Sequence, residues 1–92
     1  MIKEIKSRPQ ISEEDYAFKL GHAIHFLEDH YQLRILITFR GRELAHQKLG
    51  ERLLLRYAGD LEAYATAQLP PIIDGRQMFM IFTPKSVVVS VL

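Results

Sequence analysis

Apolar residues recur along this chain with two different periods, and each change of period marks an element. Between Leu33 and Arg40 the alternation is strict, with Leu33, Ile35, Ile37 and Phe39 set against Arg34, Leu36, Thr38 and Arg40. Enough of these residues are β-branched to predict a strand with one core face and one mixed face. Residues 2 to 8 alternate more weakly: Lys3, Ile5 and Ser7 share one face, and Glu4, Lys6 and Arg8 share the other. Pro9 lacks a backbone donor and biases Arg8 away from helical geometry, so that strand ends there. Spacings of three and four take over at Tyr16, Leu20, Ile24, Leu27 and Tyr31, the single apolar stripe of a helix. Ser12 and Asp15 form a capping-box pattern, and Ile11 and Tyr16 are placed as a hydrophobic staple, which predicts a helix start at Glu13. Glu13, Glu14 and Asp15 suit the positive end of its dipole without needing any partner.

A second helical stripe uses Leu44, Leu49, Leu53, Leu54, Tyr57, Leu61 and Tyr64, and predicts a helix from Leu44 to Leu61. Gly50 and Gly59 within it each cost about 1 kcal/mol relative to alanine, so close packing is expected at both. Pro70-Pro71 reads as an extended connector, and Asp74-Gly75 as a tight turn between Ile72-Ile73 and a strand from Gln77 to Thr83 that Pro84 ends. The order strand, helix, strand, helix, strand, strand predicts an α/β (α+β) two-layer sandwich, βαβαββ, with two helices on one face of a four-stranded mixed sheet. Residues 1–85 make one domain. Residues 86–92, uncharged and β-prone, read as an apolar tail, either an extra edge strand or disordered, and an aggregation hazard unless paired.

Composition narrows the class. Ninety-two residues, 48% hydrophobic and 25% charged, suit one small globular core and exclude intrinsic disorder. With no cysteine there is neither a disulfide framework nor a thiolate metal site, and no apolar run is long enough to cross a bilayer. Met1-Ile2-Lys3-Glu4 lacks the apolar segment of a signal peptide, so a cytoplasmic protein without a membrane partner is expected. The net charge of +1 hides an uneven distribution: residues 34–56 hold six Lys or Arg against two Glu, whereas residues 12–29 hold one Lys against five acids. An electrically two-sided molecule follows.

Of the chemistries such side chains could support, most lack a setting. His22 and His25 share a helix face, but a structural zinc site wants four ligands and usually draws on cysteine, so no metal is expected; His46 is expected to cap or pack near the second helix, with His22 or His25 facing solvent. No Ser or Thr stands in an activating context and no carboxylate pair sits in an apolar pocket, which argues against an enzyme, a cofactor or a small-molecule substrate. Lys48, Arg52 and Arg56 recur every four residues and share a helix face, a pattern that is usually only a solvated surface. Together with Lys6, Arg8, Arg40, Arg42 and Arg76 from separate segments, however, they suit reading of an RNA phosphate backbone by shape. Aromatic residues are not interleaved with these cations as in single-strand stacking platforms.

The octet Phe39-Arg40-Gly41-Arg42-Glu43-Leu44-Ala45-His46 resembles the F-R-G-R-E-[ML]-A-H signature of the C-terminal domain of bacterial translation initiation factor 3. Lys3 to Pro9, Asp15-Tyr16 with Lys19-Leu20, and Asp74 to Met78 with Pro84-Lys85 agree with that family in order and spacing. The resemblance implies a non-enzymatic domain that binds 16S rRNA of the small (30S) ribosomal subunit, prevents association with the large subunit, and supports start-codon and initiator-tRNA selection. It implies RNA-contacting roles for Arg8, Arg56 and Arg76, with Lys19, Arg40 and Arg42 as basic positions of the motifs. Two departures stand out: after Lys19-Leu20 many members carry arginines where this chain has Gly21 and His25. Binding through that helix is expected to be weaker, or conditional on His25 protonation below its ordinary pKa of ~6.5. The reading from another class is a protein-interaction domain of the same fold that does not bind the ribosome.

Overall fold

The computed structural model describes residues 2–85. Its elements are β1 (Ile2–Ser7), α1 (Glu13–Glu28), β2 (Gln32–Thr38), α2 (Gln47–Asp60), β3 (Ala65–Ala67), β4 (Ile72–Asp74) and β5 (Gln77–Pro84), with a 3-10 helix, Gly41–His46, before α2. The tail expected at residues 86–92 lies outside the described residues.

The first crossover joins neighbours, since β1 runs parallel to β2 from Ile2↔Gln32 to Ser7↔Ile37. On the other side of β2 lies β5, antiparallel from Leu33↔Phe82 to Thr38↔Gln77. Both β3 and β4 then pair antiparallel along the same edge of β5, at Ala65↔Pro84 to Ala67↔Phe82 and at Ile72↔Phe79 to Asp74↔Gln77. They form one edge line interrupted at Leu69-Pro70-Pro71, where prolines have no N–H to donate to a ladder. The sheet is therefore four strands wide, as the alternation predicts, but built from five segments. Ala65-Thr66-Ala67 carries no alternation, so β3 had no sequence signal. The hairpin forms at the expected place with Gly75-Arg76 as its two-residue corner, Gly75 taking the positive φ of 62° that such corners demand at the first position.

The capping signals set the start of α1. Ser12 Oγ accepts from the Asp15 N–H at 3.0 Å, and the helix begins at Glu13. It ends in a Schellman closure, with the His30 N–H donating to the Leu27 carbonyl and the Tyr31 N–H to the Phe26 carbonyl, both at 3.0 Å, and His30 at a φ of 68°. The start of α2 differs from expectation: residues 44–46 belong to the 3-10 helix, and α-geometry begins only at Gln47. The Glu43 N–H donates to the Arg40 carbonyl at 2.7 Å, a three-residue step that tightens this turn.

Both helices cover one sheet face. Ile5, Leu33, Ile35, Ile37, Met78, Met80 and Phe82 meet Tyr16, Ala23 and Leu27 of α1, and Leu53, Leu54 and Tyr57 of α2. Ala23 is fully buried at a position the α1 stripe omitted, because a small residue lets the helix approach the sheet. Gly50 is also a point of close approach: a Cβ there would stand 2.5 Å from Phe39 Cζ. Gly59 is not, having no heavy atom within 4 Å of such a Cβ, so the packing expected there is absent. On the opposite sheet face, the register aligns Lys6, Leu36, Phe79 and Ile72 in one row. That face is mixed, as the β2 alternation predicts: Arg34 lies 5.4 Å from the Phe79 ring centroid and bonds Glu4 at 2.8 and 2.5 Å.

Candidate nucleic-acid interface

Strand direction and register together gather cations that the sequence keeps apart. The C-terminal ends of β1 and β2, the end of β4 and the start of β5 all lie at one end of the sheet, through Ser7↔Ile37, Thr38↔Gln77 and Asp74↔Gln77. Arg8 directly follows Ser7 and Arg76 directly precedes Gln77, while Arg40 and Arg42 come two and four residues after Thr38. The Phe39 N–H donates to the Arg76 carbonyl at 2.8 Å, which fastens the hairpin corner to the chain entering the 3-10 helix. Lys6, one residue back along β1, is exposed and points away from the helices.

One carboxylate organises this end. Glu43 Oε1 accepts from the Arg40 backbone N–H at 2.7 Å and from Arg8 Nη2, so a single side chain ties β1 to the corner after β2. The Arg40 backbone hydrogen bond, and then the one from Arg8, hold the Glu43 carboxyl below the ordinary glutamate value of 4.5. Sequence reading did not single out Glu43, because the residue three positions earlier is Arg40 and not the Ser or Thr that signals a capping box. A cleft of about 280 Å³ lies beside Arg8, lined by Lys6, Ser7, Arg8, Ile11, Asp15, Lys19 and Thr38. Lys19 Nζ stands 3.8 Å from Asp15 one turn earlier in α1, so this cation is also partnered.

Lys48, Arg52 and Arg56 are all exposed on α2, as their spacing predicts, but they are not equivalent. Arg56 Nη1 and Nη2 bond Glu13 Oε2 and Oε1 at 2.9 and 2.6 Å, and its guanidinium carbon lies 3.7 Å from the Tyr16 ring centroid. The Tyr16 hydroxyl in turn donates to Asp60 Oδ2 at 2.5 Å. The hydrogen bond from Arg56, and then its charge, lower the Glu13 carboxyl below 4.5, and the Glu13 bond raises Arg56 above its usual range. Burial and then the Asp60 hydrogen bond raise the Tyr16 phenol. Tyr57, packed 4.7 Å from Tyr16 between ring centroids, is pushed up to about 12 by burial first and by the Asp15 charge second; its hydroxyl has no partner among the described residues.

One expectation changes in consequence. The two-sided charge pattern is blurred, because Glu13 of the acidic segment pairs with Arg56 of the basic one. Some cations lie against aromatic rings: Arg56 over the buried Tyr16, and Lys3 Nζ at 5.6 and 4.8 Å from the Phe26 and Tyr31 centroids. The helical stripe places Tyr16 in the core, and its cation lies 40 residues downstream, beyond any local pattern. Lys6, Arg40, Arg42, Lys48, Arg52 and Arg76 form no ion pair among the described residues.

The histidines carry less. His22 and His25 are exposed, His22 lying 4.4 Å from the Phe18 ring and His25 Nε2 3.5 Å from Asp29. His46 occupies the position before α2, but its side chain makes no capping bond. Among the described residues no three metal-ligating side chains come together, and no helix is long and apolar enough to cross a membrane.

A family model described as translation initiation factor IF-3, C-terminal domain, matches residues 1–85. Curated proteins named translation initiation factor IF-3 are similar over the same region. That of Solibacter usitatus is 43% identical over 83 residues, covering 90% of this chain and 39% of its own length. That of Shewanella baltica strain OS185 is 49% identical over 84 residues, with coverages of 91% and 47%. That of Porphyromonas gingivalis strain W83 is 44% identical over 86 residues, with coverages of 94% and 43%. The chain spans less than half the length of these relatives.

Proposed function

Because the chain belongs to the translation initiation factor IF-3 C-terminal domain family, a family of initiation factors and not of enzymes, we infer that it acts in translation initiation by binding 16S rRNA of the small ribosomal subunit. In this reading the bound domain prevents association with the large subunit and supports start-codon choice, touching initiator tRNA only indirectly. The observation that supports it most is the meeting of Arg8, Arg40, Arg42 and Arg76 from three separate segments at one end of the sheet. Cations spaced over a rigid edge suit a folded RNA, whose phosphates are presented by shape and not by base sequence. Lys48 and Arg52 extend the surface along α2, while Lys6 and Lys19 flank the cleft beside Arg8.

Co-sedimentation with purified small subunits tests this directly. Binding is expected to persist at ~100 mM salt and to weaken steeply above it, since each neutralised phosphate releases counterions. A chain that stays in the supernatant at ~100 mM salt would sink the ribosomal reading and leave the protein-interaction domain in its place.

A further inference from the structure

Arg56 is bound on two sides, and the two are not alike. Its forked edge meets the Glu13 carboxylate at 2.9 and 2.6 Å, whereas its flat face lies on Tyr16, a buried ring anchored to Asp60 at 2.5 Å. Glu13 is the loose member: it begins α1, and its side chain is 77% exposed, against 44% for Arg56. A carboxylate and a phosphate each offer a guanidinium fork a pair of oxygens at similar spacing, so one can replace the other with little movement of the arginine. An exposed pair of this kind gains little net free energy, which keeps the exchange accessible.

We propose that Glu13 is a built-in competitor for Arg56, occupying the fork until an RNA phosphate displaces it, while Tyr16 and Asp60 keep the guanidinium in place during the exchange. Glu13 is thus a positioning residue that sets affinity without touching RNA. The inference rests on the RNA-binding reading above and assigns a regulating residue to that surface. Neighbouring Glu14 supplies the natural control, because it is exposed, carries the same charge and forms no ion pair among the described residues.

The test compares dissociation constants for isolated small subunits at ~100 mM salt among wild type, Glu13→Gln, Glu14→Gln, Arg56→Ala and the Glu13→Gln/Arg56→Ala double variant, with thermal unfolding of each to verify the fold. Glu13→Gln is expected to tighten binding about two- to fivefold, the scale of one exposed ion pair, while lowering thermal stability slightly. Glu14→Gln is expected to change affinity less, Arg56→Ala to weaken it, and Glu13→Gln to have no effect once Arg56 is gone. A residue that merely stabilised the helix pair would lower stability without raising affinity. Unchanged or weaker binding by Glu13→Gln, equal tightening by Glu14→Gln, tightening that survives removal of Arg56, or wild-type affinity in Arg56→Ala would each overturn the exchange. Absence of binding by all five proteins would instead overturn the RNA reading itself, and the exchange with it.

Discussion

Gly50 and Gly59 lie in the same helix and look alike in sequence, yet opposite outcomes follow from their surroundings. At Gly50 an added methyl would press on the ring of Phe39, which is 2% exposed, and on Ile37 Cγ2 at 3.4 Å. Gly50→Ala is therefore expected to destabilise by about 1–3 kcal/mol, the usual cost of overpacking a core. At Gly59 a methyl meets nothing, and Gly59→Ala should stabilise by about 0.5–1 kcal/mol through helix propensity alone. Urea unfolding of both variants decides the matter, provided the slopes stay equal. A Gly50→Ala protein as stable as Gly59→Ala would mean that α2 does not approach Phe39 so closely.

At the scale of elements, the 3-10 helix is a joint. Its Glu43 accepts from the Arg40 N–H and from Arg8, so the end of β1, the corner after β2 and the approach to α2 share one carboxylate. Glu13 does the same for α1 and α2 through Arg56. Both carboxyls titrate below 4.5 in the folded protein, so the unfolded chain binds more protons as the solution turns acidic. The stability they contribute is present above pH 4.5 and is lost as pH falls through their lowered folded values. Glu43→Gln should flatten this acid limb and lower the unfolding midpoint at neutral pH, where the charged partner is missing. Thermal melts from pH 7 down to pH 3 measure both effects; parallel curves for wild type and variant would remove Glu43 from its bridging role.

Across the whole molecule, a net charge of +1 is compatible with the proposed RNA binding only because position outweighs sum. Arg42 stands exposed at the crowded end of the sheet without an ion pair among the described residues, whereas Glu28 ends α1. Arg42→Ala should weaken small-subunit binding and reduce the slope of log affinity against log salt by something under ~1, with no change in unfolding midpoint. Glu28→Ala should alter neither slope nor stability. Salt titrations of the two variants beside wild type check this, and a slope unaffected by Arg42→Ala would return that arginine to the ordinary solvated surface.

Local patterns determined the order of the elements other than β3, the start of α1 at Ser12-Glu13, the Gly75 corner and the core face of β2. Each of these depends on residues within one turn or one strand, whose periods and capping groups act before any distant contact forms. The motif residues around Phe39 to His46 likewise made the family legible, since a resemblance needs only order and spacing. Tertiary structure alone decided the distant partners of Arg8 and Arg56. Glu13 and Arg56 are 43 residues apart, and Arg8 and Glu43 are 35, separations at which no periodicity links two side chains. It also decided the interrupted edge of β3 and β4, because Ala65-Thr66-Ala67 becomes a strand only where β5 offers it a free ladder. Charge and spacing in the chain thus specified which groups could bind an anion, and the packing of distant segments specified that Arg8 and Arg56 already hold one.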